Sequence, residues 1–219
     1  PTTERDATLL RRVIEGRRAQ PRNFFDAVGP DWDALREVFN DATLRAQAIS
    51  RLVPQRLRVA DVGTGTGILA CEMARLGLDV IGIDQSARML EAARRKVEAE
   101  TLPTGGHVEL KRGEAEDIPL EDRSVDAALA HMVLHYVTSP DRAISEMARI
   151  LRPGGTLVAV DFVRHDLKWM QQELGVVWNG FGPETVRDWF AAAGLVDIEV
   201  EEGESLARDR DLPATLIAL

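Results

Sequence analysis

A chain of 219 residues, 45% hydrophobic and 29% charged, has the make-up of a soluble globular protein: one α/β domain with an attached segment, neither disordered nor fibrous. Its net charge of −9, split as +3 over residues 1–58 and −12 over 59–219, argues against nucleic acid, whose phosphates would be repelled. No apolar run approaches the roughly 18 to 20 residues of a membrane span. No signal peptide is recognisable and the lone Cys71 suits a reducing compartment, so a cytoplasmic protein with no membrane contact is expected.

In chain order, residues 2–18 place Leu9, Leu10, Val13 and Ile14 at helical spacing, and Phe24, Phe25, Val28, Trp32, Leu35 and Phe39 supply apolar stripes to a helix-rich stretch over 23–53. Residues 1–56 therefore read as a helical N-terminal cap, and 57–219 as the core. The paired arginines at 11–12 and 17–18, like Arg94-Arg95-Lys96, read as solvated helix faces. From residue 57 short apolar runs alternate with helical stretches, the pattern of a mostly parallel sheet flanked by helices. Strands are predicted over 57–62, 79–83, 107–111, 125–130 and 156–162. Ser86 caps one helix, and Ser139 with Pro140 starts another. Gly77 and Gly194 stand where helix C-termini want a left-handed residue. After a segment carrying Trp169, Trp178 and Phe181, Pro183 opens a helix over 184–193. Two final strand-like runs, 197–201 and 214–219, are joined by a link too short for a crossover helix, so they are expected antiparallel at a sheet edge.

The run Val59-Ala60-Asp61-Val62-Gly63-Thr64-Gly65-Thr66-Gly67 ends a buried strand and opens a helix. Glycines there permit a tight turn and let a ligand approach the backbone. Their spacing departs from the G-x-G-x-x-G dinucleotide fingerprint, and Asp61 suits a cationic amine better than a pyrophosphate. Asp84 ends the next strand, 23 residues after Asp61, where a carboxylate can accept both hydroxyls of a ribose. This device says nucleoside without saying which; a solvent-facing acid at the strand end is the plain alternative.

With those residues in view, 59–67 resembles the first motif of class I S-adenosylmethionine methyltransferases. Ile81-Gly82-Ile83-Asp84 with Ser86, Met89 and Leu90 resembles the second. The stretch 113–119 resembles the family's loop over the adenine, 126–136 its fourth strand, and 150–157 the entry to its fifth. The ubiquinone and menaquinone biosynthesis type is the most similar branch. Residues 22–32 and 164–181 also resemble methyltransferase domains joined to arsenic-repressor-type winged-helix regulators. The fold implied is Rossmann-like α/β, a mostly parallel seven-stranded sheet with an antiparallel last strand.

The resemblance implies S-adenosylmethionine as cofactor, S-adenosylhomocysteine as product and a small-molecule methyl acceptor; a homodimer is allowed. It places Asp61 near the methionine amine, Gly63, Gly65 and Gly67 along the ligand, Asp84 and Gln85 at the ribose, and Met89 over the adenine, a core methionine being the alternative. Glu114, Ala115 and Glu116 fall on the adenine loop, where the family commonly has Asp in place of Glu114. His131 would add backbone to the cofactor wall. Sulfonium methyl transfer mainly needs alignment, and an oxygen or nitrogen acceptor also wants a base. His135 is the first candidate and His165 the second, against plain hydrogen-bonding roles for both. Phe25, Trp32, Tyr136, Trp169, Trp178 and Phe181 are candidates for the acceptor pocket, or equally lid and core aromatics. Four His and one Cys without ligand spacing give no metal site, and arsenite methylation would want more thiols. The competing reading is a cofactor-sensing or partner-binding module without turnover.

Overall fold

A computed structural model describes residues 57–103, 106–203 and 213–219, all within the unit Val53–Leu219. The cap expected over 1–56, with Phe25 and Trp32, lies outside the described residues. Seven strands form one sheet in the order β3-β2-β1-β4-β5-β7-β6. They are β1 (Arg58–Val62), β2 (Asp79–Asp84), β3 (His107–Arg112), β4 (Val125–His131), β5 (Leu151–Phe162), β6 (Val200–Gly203) and β7 (Thr215–Ala218). The first five run parallel, and β7 pairs antiparallel with both β5 and β6, the second pairing being the one expected from the short link between those strands.

Strand pleating sends alternate residues to two helical layers. Ile81 and Ile83 join the larger core with Ala143, Ile144, Met147 and Ile150 of α3 (Pro140–Ile150), and with Val186 and Phe190 of α5 (Pro183–Ala192). Val80 instead meets Ala70 and Ala74 of α1 (Ile68–Arg75). The small buried face of α1, with Cys71 among it, lets that helix sit close to the sheet. Between them, α2 (Ala87–Ala99) buries Leu90 and Ala93, and a short helix α4 (Lys168–Leu174) follows β5. Both expected left-handed glycines are present: Gly77 at φ 87° and Gly194 at φ 84°.

Several boundaries differ from expectation for local reasons. β5 starts at Leu151 rather than 156, because Pro153-Gly154-Gly155 enters the sheet through an irregularity opposite Val125 and Ala127 instead of turning away from it. β6 starts at Val200, because Asp197 adopts φ 56° and interrupts the extended run. Ser86 accepts from Met89 N at 3.3 Å, whereas Ser139 caps by position only: its side chain makes no capping bond, and its backbone N–H donates to Glu116.

Candidate active site

The strand order reverses between β1 and β4, and the crevice at their C-terminal ends is the ligand position of open α/β sheets. A cavity of about 630 Å³ opens there. Of the residues expected at the site, Gly63, Gly65, Asp84, Gln85, Met89, Glu114, Ala115, Glu116 and Tyr136 line it. The remaining wall comes from Ile83, Ser86, Gly113, Met132, Val133, Val137, Thr138 and Leu174, none of them anticipated as site residues.

The glycine turn is held from below and from the side. Gly63 N and Thr64 N both donate to Ile83 O, at 2.8 and 2.9 Å. A Cβ on Gly63 would fall 2.3 Å from Val133 Cγ2, so this glycine lets the turn pack against the segment after β4. Gly65 is different: at φ 56°, its Cβ direction meets only Gly63 O at 4.0 Å, leaving open space on the cavity side. Its N–H donates to Asp84 Oδ2 at 2.9 Å, while Ser86 N donates to Oδ1 at 2.8 Å. Asp84 thus fastens the glycine turn to the β2 end, and each oxygen retains lone-pair capacity toward the cavity.

Asp61 lies beneath the turn, 2% exposed, accepting from Thr64 Oγ1 at 2.6 Å. Desolvation, reinforced by the Asp84 charge and opposed by the Thr64 bond, pushes its pKa up to about 6. A carboxyl with a raised folded-state pKa gives stability that is fully present below its unfolded value and lost as pH rises through about 6. Ionised Asp61 therefore costs the fold about 3 kcal/mol near pH 8. The stability of Asp61→Asn relative to wild type should accordingly climb as pH rises from the ordinary carboxylate range to about 6 and level off above it, as measured by urea unfolding from pH 4 to pH 8. A gap that stays flat with pH would contradict the buried-acid account.

On the side of the loop over 113–119, Gly113 N donates to Asp84 O at 3.1 Å, and a Cβ on Gly113 would strike Pro119. Glu116 Oε1 accepts from Thr138 N at 2.9 Å and Ser139 N at 3.2 Å, clasping this loop to the turn after β4. Glu114 is exposed at the cavity edge. A second hollow of about 480 Å³ shares Gln85, Gly113 and Glu114 and adds Arg112, Asp117 and Pro119.

The other expected residues are not among those lining the large cavity. Gly67 precedes α1 at φ 75° with Ala93 of α2 3.0 Å from its Cβ position, so helix packing already accounts for that glycine. His131 is the exposed last residue of β4. Phe181 is packed in the core against Trp189, ring centroids 5.1 Å apart. Trp178 is 41% exposed with Nε1 donating to Val137 O at 2.9 Å, and Trp169 is half-buried on α4. His135 is 2% exposed in the short 3-10 turn Leu134–Tyr136. Its Nδ1 lies 2.8 Å from Asp161 Oδ1 on β5, and that carboxylate also accepts from His135 N at 3.3 Å and Phe162 N at 2.7 Å. Asp161 was not anticipated, because its partner is 26 residues away in the turn that follows β4. His165 Nδ1 accepts from Leu167 N at 3.2 Å, and burial lowers the pKa of this imidazole. No group of three or more potential metal ligands exists among the described residues.

A doubly wound sheet in this order, with a glycine turn after β1 and an acid closing β2, defines the class I methyltransferase fold. Residues 60–159 match the methyltransferase domain family, and the chain is similar in motifs and fold to the class I S-adenosylmethionine-dependent methyltransferases. An uncharacterized methyltransferase of Mycobacterium tuberculosis is 41% identical over 143 residues, covering 65% of this chain and 55% of that protein. The chain thus spans little more than half the length of this relative. A demethylmenaquinone methyltransferase of Clavibacter sepedonicus is 25% identical over 241 residues, covering 96% of this chain and 93% of the relative. Among solved structures, an S-adenosylmethionine-dependent methyltransferase of Methanosarcina mazei superposes with TM-score 0.62 at 22% identity, over 78% of this chain and 95% of that one, a likeness of fold. No helix among the described residues is long and apolar enough to cross a membrane.

Proposed function

We propose that this chain is an active methyltransferase that moves the S-methyl group of S-adenosylmethionine to a small-molecule acceptor by in-line displacement. The observation that carries the reading is the open face of Gly65 beside the Asp84 carboxylate, in a cavity at the strand-order reversal. That cradle fits a nucleoside: the backbone of Gly63 and Gly65 along the methionine and ribose, Asp84 and Gln85 at the ribose hydroxyls, Met89 and Ala115 at the adenine, Glu114 toward its amino group. Asp61 under the turn answers the ligand's ammonium, so affinity should strengthen as pH rises through about 6 and this acid ionises. When bound, S-adenosylmethionine supplies a methyl already activated on a sulfonium.

The protein's share is alignment and exclusion of water, and alignment alone supplies about 7–11 kcal/mol in favourable cases. For proton removal from an oxygen or nitrogen acceptor, His135 ranks ahead of His165. With its Nδ1–H donated to Asp161, His135 keeps the Nε2 lone pair as a base. His165, which accepts at Nδ1 from Leu167 N, carries its proton on Nε2.

Calorimetric titration with S-adenosylhomocysteine, S-adenosylmethionine and NAD tests the binding half of this reading: the first two should bind and NAD should not. Incubation with labelled S-adenosylmethionine and a metabolite panel tests turnover. Binding without any transfer favours a sensing module, and preference for NAD overturns the assignment.

A further inference from the structure

Between β3 and β4 the chain runs from Gly113 to Ser124 without a helix or a strand, its one regular pairing being the bridge of Glu114 with Asp117. This stretch nevertheless borders both hollows: Gly113, Glu114, Ala115 and Glu116 line the large one, and Asp117 and Pro119 belong to the smaller. A segment with no ladder of its own takes its shape from groups outside it. Here those groups are on α3.

Arg149, in the last turn of α3, commits each of the five N–H donors of its guanidinium. Nε and Nη2 donate to the two carboxylate oxygens of Glu146, both at 2.8 Å. Nη2 also donates to Ile118 O at 2.9 Å. Nη1 donates to Leu120 O at 2.9 Å and to Asp122 Oδ1 at 2.7 Å. Glu146 in turn accepts from Ile118 N at 3.0 Å, so the pair holds both backbone groups of Ile118, whose side chain is buried in the larger core. Beyond it, Arg123 N and Ser124 N donate to Arg149 O and Ile150 O. At the opposite end of the helix, Glu116 accepts from Ser139 N, just ahead of α3. The loop is thus fastened at both ends of one helix.

This pair differs from an ordinary surface ion bridge. The Arg149 and Glu146 side chains are only 30% and 20% exposed. The Glu146 bonds raise the guanidinium pKa, and the Arg149 bonds hold the Glu146 carboxyl below its ordinary range. A lysine would keep the charge, but its three donors cannot replace a flat fork that serves two carboxylates and two carbonyls. Arg149 lines neither hollow, yet the backbone it fixes at Ile118 lies three residues from Ala115. Recognition by the Ala115 N–H and the Glu114 carboxylate discriminates only while both are held to within about 0.5 Å.

We propose that Arg149, acting through Glu146 and Ile118, is a positioning residue for base recognition: it touches no ligand, and it sets the loop that tells adenine from other purines. This rests on the methyltransferase reading, which puts that loop against the adenine. Calorimetric titration with S-adenosylhomocysteine and with S-inosylhomocysteine, in which an oxo group replaces the adenine amino group, is the test. The wild type should favour the adenine compound at least about tenfold. Arg149→Met should cut that preference to about threefold or less, mainly by weakening S-adenosylhomocysteine, and Arg149→Lys should behave the same way. A purely structural arginine would lower the unfolding temperature and leave the preference intact, and a purely electrostatic one would be rescued by lysine. Either result overturns the proposal, as does a wild type that binds the two compounds alike. In all three cases S-adenosylhomocysteine still binds and the methyltransferase reading stands; a wild type that binds neither compound removes both. Should Arg149→Met not fold, Glu146→Gln carries the test, since it keeps the side-chain size, gives up one of two acceptors and should lower the preference in the same direction.

Discussion

Gly65→Val should abolish measurable S-adenosylhomocysteine binding, a loss of roughly a thousandfold or more, while the protein still folds. Two effects combine. A β-branched residue at φ 56° occupies a region it strongly avoids, a strain of about 1–3 kcal/mol held within the turn. The new methyls also project into the space that only Gly63 O borders, where the ligand must meet the backbone. The companion Gly63→Ala separates ligand effects from fold effects, because its Cβ would collide with Val133 and should lower stability directly. Calorimetry gives the affinity and thermal unfolding the stability. A Gly65→Val protein that binds within tenfold of wild type removes the glycine turn from the ligand site.

The glycine turn was legible in the sequence because its requirement is local: a tight strand-to-helix turn restricts residue type at fixed offsets. The same holds for Asp84, whose position follows from the length of one β-α-β return. Asp161 has no such signal. It reads as one more residue of an apolar strand, and only the pairing of β4 with β5 sets it against His135. Met132 gives no hint that it adopts φ 55° at the cavity wall, a conformation in which most sequences would place glycine. The aromatics divide likewise: Tyr136, Trp178 and Phe181 look alike in sequence, yet one lines the cavity, one is exposed and bonded to Val137 O, and one is core. Composition says that large rings need burial, but not against what.

Asp84→Ala should weaken S-adenosylhomocysteine about ten- to a hundredfold, the worth of hydrogen bonds to a charged group at roughly 1.5–3 kcal/mol. The effect has two sources. The carboxylate is the candidate acceptor for the ribose hydroxyls, and it also fixes Gly65 N and Ser86 N, so its removal loosens the turn that must meet the ligand. Asp84→Asn distinguishes this arrangement from a simple charge effect. Each carboxylate oxygen faces a backbone N–H, so an amide would satisfy one and turn its own NH₂ against the other. Asn should then be nearly as damaging as Ala rather than mild. Loss of either form of the acid also takes away a charge that helps raise the Asp61 pKa, so the midpoint of the Asp61-linked stability change should move to lower pH. Titrating both variants, with folding verified by circular dichroism, measures all three consequences. An unchanged dissociation constant in folded Asp84→Ala takes this residue out of the site, and a mild Asp84→Asn shows that the two backbone bonds do not hold the turn in solution.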